Sequence, residues 1–314
     1  MMKNSRQSFS FDASSAISCG ARDYQEDAMV LDFPNGDELG FVVLADGMGG
    51  HAAGDIASKI VVTEMFRELT FQRDKMCAQA DHVCDVLQAA TLTANGSLER
   101  HVQSNPDTNG MGATLVCAVV TGGQLYWVSI GDSPLFLFRD GVLRQLNEDH
   151  SMAEQIDLMV EKGMISSKDA ENHPDRNVLT SVLFGAPISR MDCPAEPIEL
   201  HAGDTLIIAS DGLQFLSDDK IGRVLRDLPL SRSKEIAEAL MTEVTQLNDP
   251  DLDNVTFSVI QITNSRHEAT AMDDHDAFAH DVPLAPLPTE NGRFDAPARL
   301  SAMGFGLFAG KSQG

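Results

Sequence analysis

The stretch that most constrains this chain is Val43-Leu44-Ala45-Asp46-Gly47-Met48-Gly49-Gly50-His51. The apolar run 41–45 reads as a buried strand, and it stops at an acid followed by three glycines in four positions. With no side chains crowding it, such a strand end lets a carboxylate and a peptide carbonyl reach one ion, which suits a hard cation. Any single end of this kind also reads as a solvated Asp-Gly turn. What weighs against the turn is that similar acid-tipped strands recur along the chain.

Strand signals open at 13–19 and 28–33, followed by a turn at Pro34-Asn35-Gly36 and the run 39–45. From Gly54 the period changes: Ile56 and Ile60 share one row, and Val61, Met65 and Leu69 the next, which is an amphipathic helix. Val83, Leu87, Ala90, Ala94 and Leu98 mark a second helix that ends before Asn105-Pro106. Strands at 113–121, 125–130, 135–138 and 142–146 are joined at Gly122-Gly123 and Asp140-Gly141, the signature of an antiparallel meander. Residues 151–172 read helical with a break at Lys162-Gly163. A buried strand at 204–209, a helix through Ile236, Leu240 and Val244, and a last strand at 255–262 follow. Helices that fall between hairpins predict an α+β, four-layer αββα sandwich, two antiparallel β-sheets face to face with helices outside. The expected organisation is an N-terminal segment 1–12, a domain 13–264 with a flap at about 151–190, and a Pro-containing tail 265–314 expected to lack fixed structure.

Acids stand at strand ends or tight turns in Glu26-Asp27, Asp46-Gly47, Gly131-Asp132, Ser210-Asp211-Gly212 and Asp253-Asn254. Two packed sheets can bring all of them to one rim. Carboxylates that close repel one another and raise their own pKa values, so convergence requires counter-charge. Divalent cations supply it, and oxygen-only ligation selects Mg²⁺ or Mn²⁺ over zinc. Asp140-Gly141 is the internal contrast, an acid-glycine pair that reads as an ordinary hairpin turn.

The order of the motifs carries a resemblance. Arg22-Asp23-Tyr24-Gln25-Glu26-Asp27, Asp46-Gly47-Met48-Gly49-Gly50-His51, Gly112-Ala113-Thr114, Gly131-Asp132-Ser133, Asp149-His150-Ser151, Ser210-Asp211-Gly212 and Asp253-Asn254 together resemble the bacterial PP2C-type (PPM) metal-dependent protein serine/threonine phosphatases. The resemblance spans roughly 14–262, and residues 163–185 look like the bacterial flap. It implies hydrolysis of phosphoserine and phosphothreonine by attack of a metal-bridging water, in opposition to a Ser/Thr kinase. It also implies a role for each motif residue. Asp46 would bridge two ions, Glu26 and the Gly47 carbonyl would complete one, and Asp211 with Asp253 would hold the other. Asp132 with Asp211 would form a third site, Asp27 would act through a water, and Arg22 would grip the substrate phosphate. The chain departs from the pattern at Gln25, usually Asn, at Pro134, usually Arg, and at Phe215, an acid in some relatives. Met48 stands where eukaryotic relatives carry a histidine proposed as general acid. His51 is a candidate to protonate the leaving oxygen, with a helix-capping role as the alternative; His150 and His173 read as structural.

Composition narrows the partners. With 47 acidic against 23 basic side chains and a net charge of -24, nucleic acid and anionic membrane are poor partners. The 5 cysteines show no paired metal spacing and their odd number argues against a disulfide framework, as expected for a reduced cytoplasmic protein. Met1 to Ser10 lacks an apolar signal core, and no apolar run approaches a membrane span. The expected protein is a cytoplasmic monomer acting on phosphorylated proteins. Its rivals are a pseudophosphatase that binds without catalysis, against which the intact Glu26, Asp46, Asp211 and Asp253 argue, and a phosphatase of small molecules.

Overall fold

The computed structural model describes residues 9–34, 39–49, 52–229 and 231–264. In chain order the elements are β1 (Phe9–Ser18), β2 (Asp27–Asp32), β3 (Leu39–Met48), α1 (Ala52–Ala78), α2 (Val83–Ser104), β4 (Gly112–Ala113), β5 (Leu115–Thr121) and β6 (Gln124–Ile130). There follow β7 (Leu135–Arg139), β8 (Val142–Gln145), α3 (Ala153–Glu161), α4 (Ser167–Glu171), β9 (Ile198–Glu199), β10 (Thr205–Ala209), α5 (Asp218–Asp227), α6 (Ser233–Gln246) and β11 (Val255–Asn264). One sheet runs β1-β11-β10-β7-β8, the other β2-β3-β5-β6-β9 with β4 on β3, and every pairing is antiparallel.

Three apolar layers explain why antiparallel strands here read as unbroken hydrophobic runs. Successive residues of a strand point to opposite faces, so a run apolar at every position must be covered on both sides. Along β3, Phe41, Val43 and Ala45 pack under α1 and α2, while Val42 and Leu44 face the second sheet. In β10, Ile207 and Ala209 join the layer beneath α5 and α6, and Leu206 and Ile208 join the layer between the sheets. Truncating a fully buried anchor such as Phe257 to alanine should cost ~3–5 kcal/mol. The architecture is thus the αββα sandwich.

The hairpins follow their turn chemistry. Gly122 and Gly123 have φ of 58° and 78°, and Asp140 and Gly141 have 52° and 80°, the left-handed pairs that match strand twist in two-residue turns. The helical stretch at 151–172 divides as its Lys162-Gly163 break predicts, with Gly163 at φ 69° and Ser166 capping α4 by accepting from Asp169 N–H.

Several elements differ from the sequence reading. β1 begins at Phe9, not 13, because Phe9–Asp12 pair with β11 from Asn264 to Gln261 and Phe11 packs edge-on against Phe33 at 5.4 Å. Thus four residues assigned to an N-terminal segment are strand. β3 does not stop at 45; it runs through Asp46 to Met48, held by β2 and β4. The run 113–121 is interrupted at Thr114, which bonds Asp46 instead of continuing the ladder. Helix α5 was not anticipated, although Ser217 caps it and Ile221, Val224 and Leu225 anchor it to the core. The turn at Asn35-Gly36, His51 and the tail 265–314 lie outside the described residues.

Candidate metal centre

Local backbone bonds fix the acids before any ion is considered. In the β2–β3 register Asp27 stands opposite Asp46. Asp46 N–H donates to Thr114 Oγ1 at 3.0 Å, and Thr114 N–H returns to the Asp46 carbonyl at 2.8 Å. Gly47 N–H donates to the Glu26 carbonyl at 3.1 Å. A Cβ on Gly47 would sit 2.1 Å from the Gly54 carbonyl oxygen, and one on Gly54 would sit 2.3 Å from Glu26 Oε1 and 2.8 Å from the Gly47 carbonyl oxygen. Two glycines therefore let β3, the first turn of α1 and the Glu26 side chain meet.

Asn254 ties the other side together. Its Oδ1 accepts Glu26 N–H at 2.7 Å, and its Nδ2 donates to the carbonyls of Tyr24 at 2.9 Å and Cys19 at 3.1 Å. Asp253 just before it accepts Asn254 N–H at Oδ1 and Arg22 Nη2 at Oδ2, both at 2.7 Å. Gln25 accepts Asp27 N–H at 3.0 Å and donates to the Ser18 carbonyl at 3.1 Å. Ser210 Oγ donates to Asp27 Oδ2 at 2.8 Å, from the strand end where β10 delivers Asp211. Asp132 follows Gly131, whose φ of 101° turns the chain against Thr114.

The electrostatics show that these strand ends converge. Burial pushes Asp46 well above the usual carboxylate range, and Asp27, Asp211, Asp132 and Asp253 add repulsion. Asp27 is pushed up to about 7 by burial, with Asp211 and Asp253 adding to it and the Ser210 hydrogen bond opposing. Asp132 also reaches about 7 through burial, Asp211 and Asp149. Asp211 reaches about 6 through burial and Asp253, opposed by a hydrogen bond shared with Asp46 and by the Arg22 charge. Asp27 Oδ1 and Asp211 Oδ1 are buried with no hydrogen-bond partner among the described residues.

Among the described residues no three His, Cys, Asp or Glu side chains are drawn together closely enough to hold an ion by themselves. An open rim of oxygen donors is nevertheless what a hydrated hard dication takes, since Mg²⁺ keeps several waters and few carboxylates. Unpartnered carboxylate oxygens, mutual repulsion and a side-chain-free cradle at Gly47 and Gly54 all fit such ions. Arg22, Glu26, Asp27, Asp46, Gly47, Asp132, Asp211 and Asp253 are brought to one rim by the bonds and charge interactions above. Sequence reasoning gave no role to Asn254, Thr114, Ser210, Gly54 or Asp149. Four of them stood inside the motifs that carry the resemblance, and Gly54 marked only where the helical period begins.

An αββα sandwich with a half-buried acid rim at its strand ends is the frame of a metal-dependent phosphatase. The chain belongs to the protein phosphatase 2C family, whose model matches residues 21–252. It is 31% identical over 233 residues to the serine/threonine phosphatase Stp of Listeria innocua, covering 73% of this chain and 87% of that one. A crystal structure of the Mycobacterium tuberculosis serine/threonine phosphatase PstP superposes with a TM-score of 0.66 at 30% identity, covering 81% of this chain and all 100% of that chain. The catalytic domain of PstP in complex with 2 manganese ions gives a TM-score of 0.64 at 29% identity, covering 82% of this chain and 100% of that chain.

Proposed function

We propose that this protein phosphatase 2C hydrolyses phosphoserine and phosphothreonine in proteins, using Mg²⁺ or Mn²⁺ at the acid rim. The observation that carries the reading is Asp46 at the end of β3, opposite Asp27 in the ladder and within charge range of Asp27, Asp211, Asp132 and Asp253 at once. Glu26, the Gly47 carbonyl and Asp46 would hold one ion, Asp46, Asp211 and Asp253 a second, and Asp132 with Asp211 a third. Ions held there would lower the pKa of an attacking water and neutralise charge on the phosphoryl oxygens. Asp27, oriented by Ser210 and opposite Asp46 in the ladder, would position that water. Arg22, a permanently charged fork at the exposed lip of the rim, binds the phosphate.

Phosphorylated proteins are the substrates, and a Ser/Thr kinase stands on the other side of the pathway. Among the described residues no helix is long and apolar enough to cross a membrane. We place the protein in the cytoplasm, as a monomer, with the reaction confined to residues 9–264. The experiment is hydrolysis of an aryl phosphate and a phosphothreonine peptide with Mn²⁺, with EDTA, and by the Asp211→Asn variant. Turnover that needs the metal and vanishes in the variant supports the reading; a folded, inert wild type with both substrates overturns it.

A further inference from the structure

His150 reads from sequence as structural, yet its bonds do more than fill space. The residue is fully buried, bonded to Gly131 on one side and to the returning segment of the flap at Thr180 on the other. Its N–H donates to the Gly131 carbonyl at 3.0 Å, and Gly131 N–H donates back to His150 Nδ1 at 3.3 Å. Accepting at Nδ1 assigns the neutral ring with its proton on Nε2, which lies 3.8 Å from Glu148 Oε2. Gly131 has no slack of its own, because it sits at φ 101° and a Cβ there would lie 2.6 Å from Thr114 Cγ2.

The other side of His150 holds the flap. Its carbonyl accepts both Thr180 N–H at 2.7 Å and Thr180 Oγ1 at 2.8 Å. Ser151 bridges Leu179, and Met152 N–H donates to the Val178 carbonyl at 2.9 Å. Three residues past Thr180, Leu183 exchanges two bonds with Ala113, which pairs with Gly47. An apolar side chain could fill the volume of His150, but it would leave the buried Gly131 N–H without an acceptor.

We propose that His150 is a positioning residue that fixes Asp132 through Gly131 and couples it to Thr180, so that ion binding at Asp132 and the set of the flap are linked. This rests on the reading of Asp132 as an ion ligand. Linkage makes the coupling reciprocal: what orders one side favours the other.

The test compares Mn²⁺ binding isotherms of the full chain, and KM and kcat for a phosphothreonine peptide, in five proteins besides wild type. These are His150→Leu, His150→Gln, Thr180→Val, the double variant His150→Leu/Thr180→Val, and Asp132→Asn. His150→Leu should weaken the weakest Mn²⁺ binding step about tenfold and raise the peptide KM, while His150→Gln, which restores an acceptor, should recover most of the loss. Thr180→Val should weaken the same step by a smaller factor, and the double variant His150→Leu/Thr180→Val should fall short of the product of the singles. Should His150→Leu fail to fold, Thr180→Val carries the same expectation. An unchanged isotherm in the folded His150 and Thr180 variants, beside an altered one in Asp132→Asn, overturns the proposal alone. An unchanged isotherm in Asp132→Asn as well overturns the ligand reading together with it.

Discussion

Asp27 and Asp46 stand opposite each other on adjacent strands, one buried and one half-buried carboxyl, and Asp27 Oδ1 has no partner among the described residues. Folding therefore places like charges together in low dielectric, at a cost that an unfolded chain avoids. The folded carboxyls of Asp27 and Asp132 are raised from 3.8 to about 7, and that of Asp211 to about 6. Between those values the folded state binds more protons than the unfolded one, so these groups stabilise the fold most near pH 4 and lose that contribution as pH rises to 7. In chelator the melting temperature should fall over that window, and Mn²⁺ at pH 7 should restore it. Flat melting temperatures in chelator from pH 4 to 7 would count against a repelling cluster.

Asp211→Asn separates activity from stability. The variant keeps the shape of the side chain and removes one of the charges that press on Asp46 and Asp132. Metal-dependent turnover should drop by more than ~100-fold, since even outer-shell partners of metal ligands typically cost 10–100-fold. Melting temperature in EDTA should rise at the same time. A variant that is inactive and also less stable in EDTA would mean that Asp211 holds the fold by some other contact.

The parts legible in the sequence were those written in local chemistry. Gly122-Gly123 and Asp140-Gly141 specify their hairpins because left-handed φ at two successive residues admits few side chains. The unbroken run at β3 specifies burial on both faces, and with hairpin connections that forces a second sheet. Helix α5 carries a Ser217 cap and apolar residues at i, i+3 and i+4 in Ile221, Val224 and Leu225, a short signal masked by the charged residues around it. β1 was shortened because the polar residues of Ser10-Phe11-Asp12 look like a loop until β11 supplies a partner. At the rim, acids could be found by their strand-end positions, but Thr114 and Asn254 act through backbone bonds to residues 68 and 228 positions away, which no local pattern records.

Arg22 should matter for substrate and hardly at all for the fold. Its bond to Asp253 is 2.7 Å long, yet the Arg22 side chain is 55% exposed. Exposed ion pairs contribute about 0–1 kcal/mol, so Arg22→Ala should leave the melting temperature nearly unchanged. Loss of the guanidinium fork should raise KM for a phosphothreonine peptide roughly tenfold, the scale of one charge-assisted hydrogen bond at ~1.5–3 kcal/mol. Arg22→Lys should recover only part of this, because a point charge cannot bind two phosphate oxygens in a plane. Equal KM values in all three proteins would remove Arg22 from the substrate site.

Gly54 offers a test in which the sign of the effect reverses the usual rule. Replacing a glycine inside a helix by alanine ordinarily stabilises by ~0.5–1 kcal/mol. Gly96 in α2 should follow it, since an added Cβ meets only the tip of Arg100 at 3.3 Å. At Gly54 the same methyl would lie 2.3 Å from Glu26 Oε1 and 2.8 Å from the Gly47 carbonyl oxygen, so one of the two donors must move. Gly54→Ala should therefore weaken Mn²⁺ binding by about tenfold or more with helix content by circular dichroism unchanged, while Gly96→Ala should raise the melting temperature and leave the isotherm alone. If Gly54→Ala bound Mn²⁺ as tightly as wild type, the space between Glu26 and Gly47 would not be where an ion sits.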